Sequence, residues 1–435
     1  MNASIIKTKL TSLAVFHSLL EDPAIMALVD LMESLEALDY LVESPFGEED
    51  GPLVPDKFSV EEAIRCYGEF CGELFKTGGD LSSHIRTLVM EDENAYVRTI
   101  AGGGQPGPAI SDAVAVELYN LQAAADLTSE EVQQTILSHM DPDSVIHLPG
   151  WDNTEYALGY EYFERVKNIE KTGYGMYARY RAFTIKDGKL TPVRHPDPQT
   201  LDQLYGYERE RELIVKNTEA LLDGRGGSNI LLYGDAGTGK SSTVKAIVNE
   251  YAKDGLRLVE VRKEQLFQIP DIIEELSDSP LKFILFIDDL SFSKNDDNFS
   301  ALKAILEGSI SASGDNVAVY ATSNRRHLVK ESMKDRDGDE LYVNDTLQEV
   351  SSLSARFGLT ITYQNPKKDE YLAIVDQLVK DAGYMRDDGT VVTPAGTLTL
   401  EELHTKAMAL TIRGNSRSPR TAKQFVELLG SGILR

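Results

Sequence analysis

Residues 230–241 read ILLYGDAGTGKS, an apolar run that breaks into a glycine-rich loop and closes on Gly239-Lys240-Ser241. From Gly234 onward this is G-x-x-x-x-G-K-[ST], set between a predicted strand and a predicted helix. Binding a triphosphate requires backbone N–H groups that point inward, so the loop must come close without Cβ atoms in the way. Gly234, Gly237 and Gly239 permit that approach, with Asp235, Ala236, Thr238 and Ser242 completing the cradle. Lys240 is expected to reach the β- and γ-phosphates and Ser241 to bind Mg²⁺. The helix that follows (STVKAIVNEYAKDG) aims its N-terminal dipole at the anion. The reading is an ATP site with Mg²⁺ as cofactor.

Two further strands support it. Residues 282–290, KFILFIDDL, form a buried-strand run ending in Asp288-Asp289. Asp288 can hold the metal, and Asp289 can orient or deprotonate the attacking water. Residues 316–324, NVAVYATSN, end on Ser323 and Asn324, an amide suited to positioning that water. A turn residue is the alternative reading of Asn324. All three motifs fall at the carboxyl ends of predicted strands, where ligands of parallel sheets bind.

The order of P-loop, Asp-Asp strand, ATSNRRHL, LSARFGLTITYQNPKKDEYLAIVDQL and GNSRSPRTAKQFVELL resembles the AAA+ ATPases. More narrowly it resembles the bacterial AAA+ family catalogued as domain of unknown function 815, over residues 190–435. The resemblance implies that Asn324 is the first sensor and Arg356 an arginine finger entering a neighbouring subunit's site. It implies that Arg420, with Arg417 as second choice, is the second sensor. It also sets Tyr205, Gly206 and Tyr207 near the base. Independently, a guanidinium supplied to the transferring phosphoryl group is worth ~10³ or more in rate. Two positions depart from the pattern: Asp289 stands where Glu is usual, and no aromatic pore-loop signature follows the second strand.

The formal net charge is −26 with 42% hydrophobic residues, a globular and strongly acidic chain. Such a surface repels phosphate backbones, so nucleic acid is disfavoured as a partner; the local basic cluster Arg325-Arg326-His327 sits beside the sensor strand instead. Cys66 and Cys71, five residues apart on a predicted helix, point to different faces and read as free thiols. No apolar run approaches the roughly 18 residues of a membrane span. The N-terminal KTKLTSLAVFHSLL reads as an amphipathic helix rather than a leader, and a cytoplasmic location is expected.

The expected architecture is α/β, with a P-loop core built on a five-stranded parallel sheet. Residues 1–148 read as a mostly helical N-terminal domain and 149–198 as a small β-hairpin, connector and linker. The nucleotide-binding core spans 199–365, with strands at 229–234, 256–262, 282–288, 316–322 and 359–364, and a helical lid spans 366–435. Ser59-x-x-Glu62 and Thr128-x-x-Glu131 read as capping boxes. Met26, Leu31 and Met32 read as a core stripe. Residues 173–193 alternate in β fashion, their Tyr, Phe and Arg content suiting either a packed sheet face or base stacking. The charged insert 330–349 is a candidate subunit contact.

These readings together describe an ATPase that remodels or assembles a protein client, forms a homo-oligomer in the ATP state and meets its client through the helical N-terminal domain. The alternatives are a nucleotide switch with little turnover, or a helicase-loader-like ATPase of DNA metabolism. A GTPase is disfavoured, because Asn365-Pro366-Lys367-Lys368-Asp369 only imitates N-K-x-D.

Overall fold

The computed structural model describes residues 2–43, 57–140, 146–290, 297–306, 315–324, 355–414 and 416–433. The cluster Arg325-Arg326-His327 and the insert 330–349 lie outside the described residues. The chain divides into two compact units, Met1–Arg179 and Tyr180–Arg435.

The first unit is helical, its main helices being Ala3–Thr11, Pro23–Glu43, Lys57–Phe75, Leu81–Glu91, Ala95–Ala101, Pro108–Ala125, Ser129–Leu137 and Leu158–Lys167. Their apolar faces meet in one core that includes Phe16, Tyr67, Phe70 and Trp151. The Trp151 ring packs edge-on to Phe70 at 5.0 Å, and its indole N–H donates to the Leu127 carbonyl at 3.0 Å, so the buried donor is satisfied. Glu117 is buried on helix Pro108–Ala125 and accepts backbone N–H bonds from Ala14, Val15 and Phe16, which ties the N-terminal loop to that helix. Thr128 forms the capping box with Glu131. Ser59 does not cap, because its helix already begins at Lys57. Leu31 and Met32 are fully buried, but Met26 is 52% exposed and leaves the core stripe. Cys66 and Cys71 are free and buried.

The second unit is built on one sheet. Its strands are β1 (Ala182–Lys186), β2 (Lys189–Pro192), β3 (Ile230–Gly234), β4 (Leu256–Glu260), β5 (Lys282–Ile287), β6 (Val317–Ser323) and β7 (Leu359–Tyr363), in the order β2-β1-β4-β5-β6-β3-β7. The five strands from β4 to β7 in that order are parallel. Strand β5 is buried on both faces, which is why its sequence is a continuous apolar run rather than an alternating one.

Two corrections to the sequence reading follow. The sheet has seven strands rather than five, because the hairpin assigned to a connector adds β1 parallel to β4 and β2 antiparallel to β1. The β-like pattern begins only at Ala182; Met176–Arg179 is a helical turn of the first unit. The edge of β4 offered unpaired N–H and C=O groups, and a hairpin satisfies them.

After β7 come helix Lys368–Asp381, a two-stranded hairpin (β8, Val391–Thr393; β9, Gly396–Leu398) and helices Leu400–Gly414 and Pro419–Gly430. These share their own core of Tyr371, Val375, Leu403 and Phe425, against which Tyr205 packs from the start of the unit. Among the described residues no helix is long and apolar enough to cross a membrane.

Candidate nucleotide site

Strand register decides which residues meet. In the β3–β6 ladder Tyr233 faces Ser323, and in the β5–β6 ladder Ile287 faces Ala321. One residue further on, the chain therefore sets Asn324 beside the P-loop and Asp288 beside Thr322. Parallel strands end on the same edge of a sheet, so loop, carboxylates and amide converge there.

Gly234 leaves β3 at φ +141°, where a Cβ would sit 1.9 Å from the Tyr363 carbonyl oxygen, so only glycine fits. The Tyr363 carbonyl accepts the Asp235 N–H at 2.9 Å, and the Asp235 carboxylate accepts the Asn365 N–H at 2.7 Å. Gly237 (φ +78°) lies against the C-terminal helical segment, where an added Cβ would be 3.0 Å from Ser418 Oγ. Its carbonyl accepts the Arg420 N–H at 3.1 Å. Gly239 (φ +91°) caps helix Lys240–Tyr251.

Lys240 is 5% exposed. Its ammonium donates to the carbonyls of Gly234 (3.2 Å) and Asp235 (2.7 Å) and to Asn324 Oδ1 (3.0 Å). Burial lowers its pKa below the ordinary lysine value, against the pull of Asp235, Asp288 and Asp289. A buried cation balanced by neutral oxygens and a few carboxylates is prepared for an anion.

Ser241 Oγ donates to Asp288 Oδ1 at 2.6 Å, and Thr322 Oγ1 donates to the same oxygen at 2.5 Å. Thr322 Oγ1 in turn accepts the Asp289 N–H at 2.9 Å. Asp289 takes φ +50°, a left-handed conformation that Asp tolerates better than most residues. Asn324 Nδ2 donates to Asp289 Oδ1 at 2.7 Å, so one amide bridges the loop lysine and the second carboxylate. A serine hydroxyl and a carboxylate oxygen in contact form a hard-oxygen pair that suits Mg²⁺.

These groups face a cavity of about 480 Å³. Its apolar end includes Leu204, Tyr205, Tyr207, Ile374 and Leu378. Tyr207, at φ +61°, stacks on Tyr363 with ring centroids 4.9 Å apart. Its hydroxyl donates to the Gln364 carbonyl at 2.6 Å, and burial pushes its pKa up. Tyr205 hydrogen-bonds Asp381. Of the sequence-derived residues, Ala236 to Ser242, Asp288, Asp289, Asn324, Tyr205, Tyr207 and Arg420 line this cavity. Gly234 and Asp235 line an adjoining one together with Asn324, whereas Gly206 borders a third. Arg417 and Arg356 border none of these cavities; Arg356 lies three residues before β7.

The sequence reading missed Thr322, Gln199, Gln203, Arg211 and Lys423, all of which line the cavity. Two had a legible signal. Thr322 shares a strand face with Asn324 by the period of two, and Lys423 follows Arg420 by three residues on one helix.

The parallel sheet, the loop between β3 and its helix, and the carboxylate strand two places away in the sheet define an α/β P-loop fold. The chain belongs to the family described as Protein of unknown function (DUF815), whose model matches residues 177–432. Comparison with curated proteins found no match. Similar solved structures include the RuvB Holliday junction branch migration motor of Thermotoga maritima, with 17% identity, 54% of this chain and 74% of that chain covered, and a TM-score of 0.30. Another is PCH-2 of C. elegans, with 14% identity, 58% and 84% covered, and a TM-score of 0.31. A third is the Aeropyrum pernix ORC1 protein in complex with DNA, with 16% identity, 52% and 60% covered, and a TM-score of 0.36. The fold assignment rests on the sheet and the loop themselves, not on these similarities.

Proposed function

We propose that this chain is an Mg²⁺-dependent ATPase that acts as a homo-oligomer to remodel or assemble a protein client. The observation that carries the reading is the convergence on one cavity of a buried lysine, a hydroxyl–carboxylate pair and an amide–carboxylate pair. The loop N–H groups and Lys240 would hold the phosphates, Ser241 and Asp288 the metal, and Tyr205 and Tyr207 the base. Bound Mg²⁺ supplies charge neutralisation at the phosphate oxygens. Asp289, oriented by Asn324 and Thr322, would accept the proton of the attacking water. Arg420 would approach the phosphates from the same chain, and Arg356 from a neighbouring copy. The helical N-terminal unit is the part left to meet the client, and the acidity of the chain favours a protein over a nucleic acid there.

The test is ATP hydrolysis per subunit over a wide range of protein concentration. A specific rate that climbs with concentration and is lost in Arg356→Ala is expected, with Lys240→Ala losing nucleotide binding and Asp289→Asn keeping it while turnover falls by ~10² or more. A flat rate would remove the shared site, and tight nucleotide binding by Lys240→Ala would remove the site itself. A second reading, a switch with little turnover, draws on Asp289: its carboxylate is one methylene shorter than glutamate and is already engaged by Asn324. ATP binding without turnover would favour it.

A further inference from the structure

The charge of this chain is segregated. Residues 1–179 contain 31 Asp and Glu against 11 Lys and Arg, whereas residues 180–435 contain 39 against 33. Within the first unit, residues 99–164 hold no Lys or Arg at all. Against that background one helix face stands out as apolar. On helix Pro108–Ala125 the exposed positions are Pro108, Ala109, Asp112, Ala115, Val116 and Tyr119, of which a single one is charged. Val116 is 60% and Tyr119 71% exposed.

This face cannot turn inward. Val114, Leu118 and Leu121 bury the opposite side, and the Glu117 carboxylate pins the helix by three consecutive backbone N–H donors. The patch extends beyond one helix. Lys9 Nζ lies 4.7 Å from the Tyr119 ring centroid, which brings helix Ala3–Thr11 alongside. Ile5, one turn before Lys9 on that helix, is 52% exposed. Exposed apolar surface held in a rigid frame, on a unit with 31 acidic against 11 basic residues, marks an interaction site rather than a solvated face.

We propose that the Val116–Tyr119 face of helix Pro108–Ala125, with Ile5 beside it, docks a basic amphipathic segment of a partner protein. A second copy of this chain would bring like charge onto like charge, and a nucleic acid would do the same. A cationic segment gains from the surrounding field while its apolar residues cover Val116 and Tyr119. The inference names the chemistry of the client assigned above to the N-terminal unit and does not depend on the nucleotide site.

The test uses the full chain and three labelled synthetic helical peptides, read by fluorescence anisotropy: Lys/Leu at amphipathic spacing, the same with Ser for Leu, and Glu/Leu. The Lys/Leu peptide should bind, weaken as salt rises from about 0.05 to 0.3 M, and bind roughly tenfold more weakly to Val116→Ser/Tyr119→Ser. Both substituted side chains are largely exposed, so the variant keeps its fold, checked by its unchanged melting temperature. Equal binding of the variant, equal binding of the Lys/Ser or Glu/Leu peptide, or no binding at all overturns the proposal. So does a concentration-dependent dimer that the double substitution dissolves. Peptide binding by Lys240→Ala separates this result from the nucleotide reading, since it persists here even where that reading fails.

Discussion

Lys240 sits where three oxygens replace water around an ammonium group, and burial outweighs the nearby carboxylates in setting its pKa. Its folded-state pKa therefore lies below the 10.5 of an ordinary lysine. Below that folded value the charged, desolvated amine costs stability, and the cost is relieved as pH rises through the window between the folded and unfolded values. Nucleotide binding runs the opposite way, because the phosphates need the ammonium. Melting temperatures measured with and without ATP from neutral pH to about 10 should show the ATP-induced increment shrinking as the nucleotide-free protein gains stability relative to Lys240→Met. An increment independent of pH, or the same slope in Lys240→Met, would mean that Lys240 is not the titrating group.

At the scale of elements, the site depends on how helix Pro419–Gly430 is seated. Ser418 is its N-cap, accepting the Thr421 N–H at 3.3 Å, and the same residue packs against the P-loop at Gly237. The cap and the Arg420–Gly237 backbone bond together tie the C-terminal segment to the phosphate loop. Ser418→Ala removes the cap at a cost of about 1 kcal/mol. Borne by the closed arrangement, that cost corresponds to roughly fivefold weaker nucleotide binding, measurable by calorimetric titration, with Ser418→Thr restoring it. Unchanged affinity in Ser418→Ala would show that the helix start does not govern the loop. The β5–β6–β3 register matters in the same way: a slip of one residue would turn Asp288 and Asn324 away from the loop.

At the scale of the molecule, the two units have separate cores, one around Phe16, Tyr67 and Trp151 and the others around the β3–β7 sheet and the C-terminal helices. Scanning calorimetry should therefore resolve two unfolding transitions. ATP with Mg²⁺ at about 100 times its dissociation constant should raise only that of Tyr180–Arg435, by roughly 2.7 kcal/mol. A single transition shifted as a whole would mean that the units unfold together.

The strand-end positions of the P-loop, both aspartates and Asn324 were legible in the chain because each is a short local pattern: an apolar strand that ends on polar residues. So was the helical character of the first unit, since Thr128 and Glu131 form their capping box within four consecutive residues. The hairpin's place in the sheet was not legible, because strand pairing across 70 residues or so depends on which edge is left open, here that of β4. Nor was the seat of Ser418 on Gly237. Local pattern writes strands, turns and caps into the sequence, because these interactions close within a few residues. Contacts between distant residues are selected by packing and register, which only the assembled fold supplies.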